Sequence, residues 1–243
     1  MVELGQIALI LSFMMATYST VVGFAGGMLN GRDLAASARW GFYSICPLLI
    51  LATASLIYAF VTNDFSVKYV AENSNIAMPK VYAWVAFYSG NAGSLLYIAV
   101  AFSLMAGITI RILNSKLPYT SPYALGVMSM VLLFFLAVIL FLANPLERHQ
   151  IALEDGQGMN PLLIHFGMFI HPPFQMLGLI SVALPFSIAI GALLAGRGGR
   201  DEWVDQGRLW GMVSWLLLTT GLLLGAWWAY TILGWGGYWA WDP

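Results

Sequence analysis

The chain has 243 residues, of which 60% are hydrophobic and 9% charged, against roughly 25% charged in soluble domains. So few charges cannot cover a water-facing surface, which excludes a soluble globular protein, and a net charge of −1 leaves no bulk basic signal for nucleic acid. The one cysteine, Cys46, lies in an apolar run, so an intrachain disulfide, a C-x-x-C metal or redox pair and a c-type haem attachment site are all excluded.

Six apolar stretches, at about 4–29, 42–62, 94–112, 123–143, 173–195 and 209–233, reach the ~20 residues a spanning helix needs. They predict an all-α fold: a polytopic membrane helix bundle forming a single transmembrane domain over 1–243. Nothing in them alternates as barrel strands do. The first stretch follows Glu3 rather than a basic cluster, and its run from Leu4 to Leu29 exceeds a signal core of about 7–15 residues. It is read as a span, with Gly23 and Gly27 at the G-x-x-x-G spacing of a close helix contact. Pro47 and Pro185 lie inside the second and fifth spans and are expected to kink them.

Charge sets the orientation. Connections after spans one, three and five hold Arg32, Arg39, Arg111, Lys116, Arg197, Arg200 and Arg208; the opposite side holds only Lys68, Lys80 and Arg148. The positive-inside rule places the first set in the cytoplasm. The N-terminus, the loops 63–93 and 144–172, and the segment 234–243 are then expected outside.

The three histidines, His149, His165 and His171, fall in the 144–172 loop or at its membrane edge. With none at mid-membrane, a haem buried between the six spans is not expected. His171 precedes Pro172 and Pro173 in "MFIHPPFQMLG". A residue before proline is pushed toward extended backbone, and proline suits the first helical turn. His171 is therefore expected outside the fifth span, at its outer mouth, either as an iron ligand or acid–base group or as an interfacial histidine. His165, six residues earlier, is expected on a different face, meeting solvent or another loop.

Span six ends in a dense aromatic run. Trp227, Trp228, Trp235, Trp239 and Trp241 are half of the ten tryptophans, interleaved with Tyr230 and Tyr238. An interfacial belt shares such residues among helix ends at both faces; this clustering is denser. Gly236 and Gly237 bare the backbone for close approach. Either a belt or a platform for a large planar apolar ligand fits, whether haem, quinone or a lipid headgroup.

These residues resemble a known family. "LGWGGYWAWDP" is similar to the tryptophan-rich WWD motif of the haem-handling proteins of cytochrome c biogenesis. "GQGMNPLLIHFGMFIHPP" resembles the segment before the first external histidine of the CcmF-type cytochrome c haem lyases; "NPLER" and "SGNAGSLLY" fall where that family has similar stretches. The resemblance implies haem binding on the outer face of a bacterial inner membrane, or in some mitochondria. It further implies attachment of the haem vinyl groups to the C-x-x-C-H site of an apocytochrome c, with a haem chaperone and other cytochrome c maturation membrane subunits as partners. His171 matches the first external iron ligand. Trp235, Gly236, Gly237, Trp239, Trp241 and Asp242 match the haem cradle.

Two positions depart from the family pattern: Ala92 stands where it usually has an acidic residue, and Tyr97 where it has tryptophan. The family also continues past "WDP" to a second external histidine, so the chain is expected to be a fragment or split subunit. The implied chemistry adds a thiol of the substrate across a vinyl group, the protein supplying placement, and no catalytic residue is assigned. Arg148 and Lys80 are outer-side cations that could meet propionates. A non-catalytic subunit that transports or exports haem is the alternative. An ion-coupled transporter is disfavoured by the scarcity of ionisable residues in the spans.

Overall fold

The structure, a computed structural model, describes residues 1–150 and 153–232. Its helices are α1 (Val2–Met28), α2 (Arg32–Val61), α3 (Lys68–Asn73), α4 (Lys80–Ala86), α5 (Asn91–Lys116), α6 (Ser121–Phe141), α7 (Gly167–Ser181), α8 (Ala183–Leu194) and α9 (Glu202–Ile232), with a 3-10 turn at Pro161–Leu163. The spans are α1, α2, α5, α6, α7 with α8, and α9, six among the described residues, each long and apolar enough to cross a membrane. The fold is thus the expected polytopic helix bundle.

The fifth span breaks at Val182. Pro185 is the cause: it stands in the first turn of α8, where its missing N–H is not needed, and cannot continue the α7 ladder. Three helix ends close by one device. Asn30 follows α1 at φ 51°, Asn63 follows α2 at φ 52° and Gly196 follows α8 at φ 66°. In each case the next amide reaches back across the last turn: Gly31 to Gly26 O, Asp64 to Ala59 O and Arg197 to Ala192 O. This satisfies carbonyls that a helix end otherwise leaves open.

Glycines set the closest contacts. A Cβ on Gly23 would lie 3.3 Å from the backbone of Gly126 in α6, and one on Gly27 2.8 Å from the Tyr123 ring. The G-x-x-x-G stripe of α1 is a helix–helix seam, as its spacing predicts. The core between α1, α2, α5 and α6 is filled by Leu9, Phe42, Ile45, Leu49 and Phe102, while Leu4, Phe134 and Phe141 face outward. α7 and α8 bring α9 against this group, α7 through α5 and α8 through α6.

At one end of the bundle the two long connections interlock. Lys68 N–H donates to Glu147 O (2.9 Å), His149 N–H to Ser66 O (2.8 Å) and Gln157 N–H to Ala71 O (2.7 Å). The start of α1 joins them: Glu3 meets Arg148 at 3.7 Å and Asn144 Nδ2 donates to Gln6 Oε1 at 2.9 Å. Of the segments that the charge count groups on one side, the N-terminus and the described parts of the loops 63–93 and 144–172 therefore do share one end of the molecule. Buried Tyr69 ties α3 to the turn before α5. Its Oη accepts the Gly90 amide (2.8 Å) and lies 3.1 Å from both Phe87 O and Gly90 O.

Candidate functional site

Met168, in the first turn of α7, is where the site is anchored. Pro172 removes the amide that would bond the Met168 carbonyl one turn earlier. Tyr88 supplies the missing donor, its hydroxyl reaching Met168 O at 3.0 Å. Burial, with Tyr97 adding to it, pushes the Tyr88 phenol well above its ordinary range and keeps it a donor. Tyr97 lies beside it, ring centroids 5.7 Å apart, and directs its own hydroxyl toward Pro173 O at 3.4 Å. A lost backbone bond is thus replaced from a neighbouring segment, as happens in membrane helices that carry proline.

His171 consequently lies within α7 rather than outside it. This corrects the expectation from the His-Pro-Pro spacing. The bias of a pre-proline residue against helix is a preference of about one local contact, and the Tyr88 bond together with packing on α9 outweighs it. His171 faces α9. Its Nδ1 lies 2.9 Å from Gly221 O. A carbonyl can only accept, so Nδ1 donates in this contact, and in a neutral ring with that arrangement the lone pair falls on Nε2. A protein carbonyl holding one ring nitrogen while the other is free is the arrangement found behind metal-ligating histidines.

Glycines on α9 make the approach possible. A Cβ on Gly225 would stand 2.6 Å from His171 Cε1, and one on Gly221 2.7 Å from Gln175 Cα. The stretch "GLLLG", 221–225, is another pair at G-x-x-x-G spacing, a signal that the sequence reading did not single out. Gln175, one turn along α7 from His171, buries its Oε1 without a hydrogen-bond partner among the described residues.

Trp228 stands between two of the three histidines of this end. Its ring meets His171 edge-on (5.6 Å, 68°) and lies nearly parallel to His165 (6.4 Å, 14°). His165 also approaches Trp227 at 5.4 Å, and its Nδ1 accepts the Gly167 amide at 3.0 Å. His165, half-buried, therefore packs its ring on α9 rather than on another loop, while part of it still meets solvent as expected: it precedes α7, where helical face arithmetic does not apply. His149 takes its place in the loop bridge with Ser66, and Arg148 pairs with Glu3. Lys80 opens α4. Ala92 is half-buried in the first turn of α5. Trp235, Gly236, Gly237, Tyr238, Trp239, Trp241 and Asp242 lie outside the described residues.

The result is a half-buried imidazole whose Nε2 has no hydrogen-bond partner among the described residues, walled by tryptophan, at the loop-bearing end of a membrane helix bundle. That combination defines a class: multi-pass membrane proteins that hold an aromatic-walled histidine at one end of the bundle. Comparison narrows it. The family model described as "Cytochrome C assembly protein" matches residues 88–243, and the chain belongs to that family. It is 39% identical over 248 residues to the cytochrome c-type biogenesis protein CcmF of Pseudomonas fluorescens, covering 99% of this chain and 36% of that protein. Identity is 37% to the cytochrome c-type biogenesis protein ccl1 of Rhodobacter capsulatus, covering 100% of this chain and 37% of that one, and 36% to CcmF of Escherichia coli K12, covering 100% and 38%. A solved structure, a cytochrome c haem lyase CcmF, superposes with a TM-score of 0.84 at 27% identity over 100% of this chain and 38% of its own. The chain thus spans little more than a third of the length of these relatives.

Proposed function

We propose that this chain acts in cytochrome c biogenesis, binding haem at the outer membrane face and taking part in its thioether attachment to apocytochrome c. The observation that carries the reading is the contact of His171 Nδ1 with Gly221 O, which leaves Nε2 with no hydrogen-bond partner among the described residues. One imidazole suits iron that arrives already held by a porphyrin. Haem here is the substrate. His171 would ligate its iron, and Trp228 would flank it. Trp235, Gly236, Gly237, Trp239, Trp241 and Asp242, which follow α9 in sequence, would form the cradle. Their role rests on the family resemblance. Each attachment adds a substrate S–H across a vinyl C=C: sulfur bonds to one carbon and the proton goes to the other, with no net oxidation. Cys46 lies in α2, and the attacking thiols belong to the apocytochrome. The chain's contribution is orientation, which lowers such barriers by as much as roughly 7–11 kcal/mol.

A haem chaperone, the apocytochrome and other maturation subunits are the partners this reading requires, and the loop-bearing end is the extracytoplasmic one. Replacing His171 by Ala in the full-length protein is expected to lose haem or alter its iron spectrum, with His149→Ala unchanged. His171→Cys keeps a ligand but shifts the spectrum, since thiolate and imidazole differ at haem iron. Full haem content and an unaltered spectrum in both His171 variants would exclude axial ligation. Thioether formation with purified apocytochrome separates the lyase from a haem exporter. Converting Trp235, Trp239 and Trp241 to Ala should lower haem retention, with Phe partly preserving it.

A further inference from the structure

The opposite end of the bundle carries a cavity of about 530 Å³ between the α1–α2 turn and the α5–α6 turn. Its floor is bare backbone at Gly26, Gly27 and Gly31, and its polar lining is Asn30, Arg32, Arg39, Asn114 and Tyr119. The described residues form ion pairs at Lys68–Glu147, Glu3–Arg148 and Asp205–Arg208. Arg32 and Arg39 have no carboxylate partner among them. Asp33 follows Arg32 in the first turn of α2 but does not line the cavity.

Arg39 is half-buried and held in place by donating Nη1–H to Asn114 Oδ1. A guanidinium has five donors, and the rest of this one's have no partner among the described residues. Arg197 adds a third cation at the rim, its Cζ 4.5 Å above the Tyr119 ring. Holding cations beside a concave, carboxylate-free surface costs self-repulsion and desolvation, which an anion offsets. Depth is set by aromatic and apolar neighbours. Trp40 and Tyr119 are 74% and 63% exposed, and Met28 and Leu29 are 72% exposed each, the mixture expected where headgroups meet acyl chains.

We infer that this cavity is a binding site for a phosphate ester anion, with Arg32 and Arg39 as its charge partners and Asn30 and Tyr119 as neutral ones. Basic pockets between helices at a membrane surface recognise anionic headgroups in this way. The cavity greatly exceeds an inorganic phosphate, and the adjoining apolar side chains fit a phospholipid whose tails lie along α1 and α2. The site is independent of the haem reading and lies at the other end of the molecule.

The test places the full-length protein in nanodiscs of mixed phosphatidylglycerol and phosphatidylcholine and measures the bound lipid by native mass spectrometry. Arg32→Gln should lower phosphatidylglycerol enrichment about fivefold, and Arg32→Gln with Arg39→Gln about thirtyfold, at roughly a fivefold factor per arginine. Arg200→Gln, which removes a cation from the same end outside the cavity, should leave enrichment unchanged. Arg32 is exposed and has no carboxylate partner among the described residues, so its single variant keeps the fold and the result readable. A second arm titrates inorganic phosphate in detergent. Binding that depends on both arginines without lipid enrichment assigns the site to a soluble phosphate ester. Lipid selectivity and phosphate binding that are both indifferent to Arg32 and Arg39, or equally weakened by Arg200→Gln, would overturn the inference.

Discussion

Gly225 has no side chain, and His171 occupies that space. Gly225→Ala places a methyl 2.6 Å from His171 Cε1, closer than any stable contact, so the imidazole must shift. Haem retention should fall toward the His171→Ala level, while Gly211→Ala, with nothing within 4 Å, should be silent. Both variants read out as bound haem per protein. Tyr69 gives a prediction in pH. Burial raises its phenol from 10.0 to about 12, backbone donors only partly offsetting the cost. The folded state therefore holds the proton more tightly than the unfolded one. Stability from this group is complete below about pH 10 and falls between pH 10 and pH 12, by up to about 1.4 kcal/mol per unit. Tyr69→Phe should flatten that decline in detergent melts. It should also cost about 1–3 kcal/mol at neutral pH, because the Gly90 amide and nearby carbonyls lose their buried partner. Sequence reading singled out His171 because proline made it conspicuous. It named Trp228 only as one of an aromatic run, and it missed Tyr88 and His165 as a packed ring, since nothing local marks a side chain that acts across 80 residues of chain.

Six spans were legible from hydrophobic length alone, because lipid leaves the backbone few options. What sequence could not resolve was where a helix survives its prolines. Pro185 breaks the fifth span at Val182, whereas Pro172 and Pro173 sit inside α7 without ending it. Local preference is the same in both places; the difference is that Tyr88 fills the gap in α7. Tyr88→Phe should therefore loosen the first turns of α7 specifically. Amide exchange is expected to rise over 167–171 and remain unchanged in α6. The α1 seam answers to size. Gly23→Ile would drive a branched side chain into the Gly126 backbone 3.3 Å away, and overpacking of this kind costs about 1–3 kcal/mol. A lowered melting temperature checks it.

The whole molecule has two chemically distinct ends, one of interlocked loops and histidines, one of short turns and arginines. The charge count anticipated this division, because a membrane sorts loops by sign before any packing occurs. If the loop end is outside, a cysteine at Glu154, in a Cys46→Ser background, should react with an impermeant thiol reagent in intact cells, and one at Gly199 should be shielded. Gly199 has open space around it, whereas Gly158 at φ 88° would resist a side chain. The reversed pattern would remove the outer-face haem site. Packing between the two ends was legible only at the Gly23–Gly27 stripe of α1, since large apolar residues on a membrane helix give no sign of which face meets protein. The Met168 carbonyl leaves a trace of another kind. It needs one donor; proline at 172 denies it the backbone amide and the phenol at 88 supplies it. Across relatives these two positions should change as a pair. Where residue 172 regains its N–H, selection on a hydroxyl at 88 is relaxed and phenylalanine can drift in; where proline stays, a donor at 88 should stay with it.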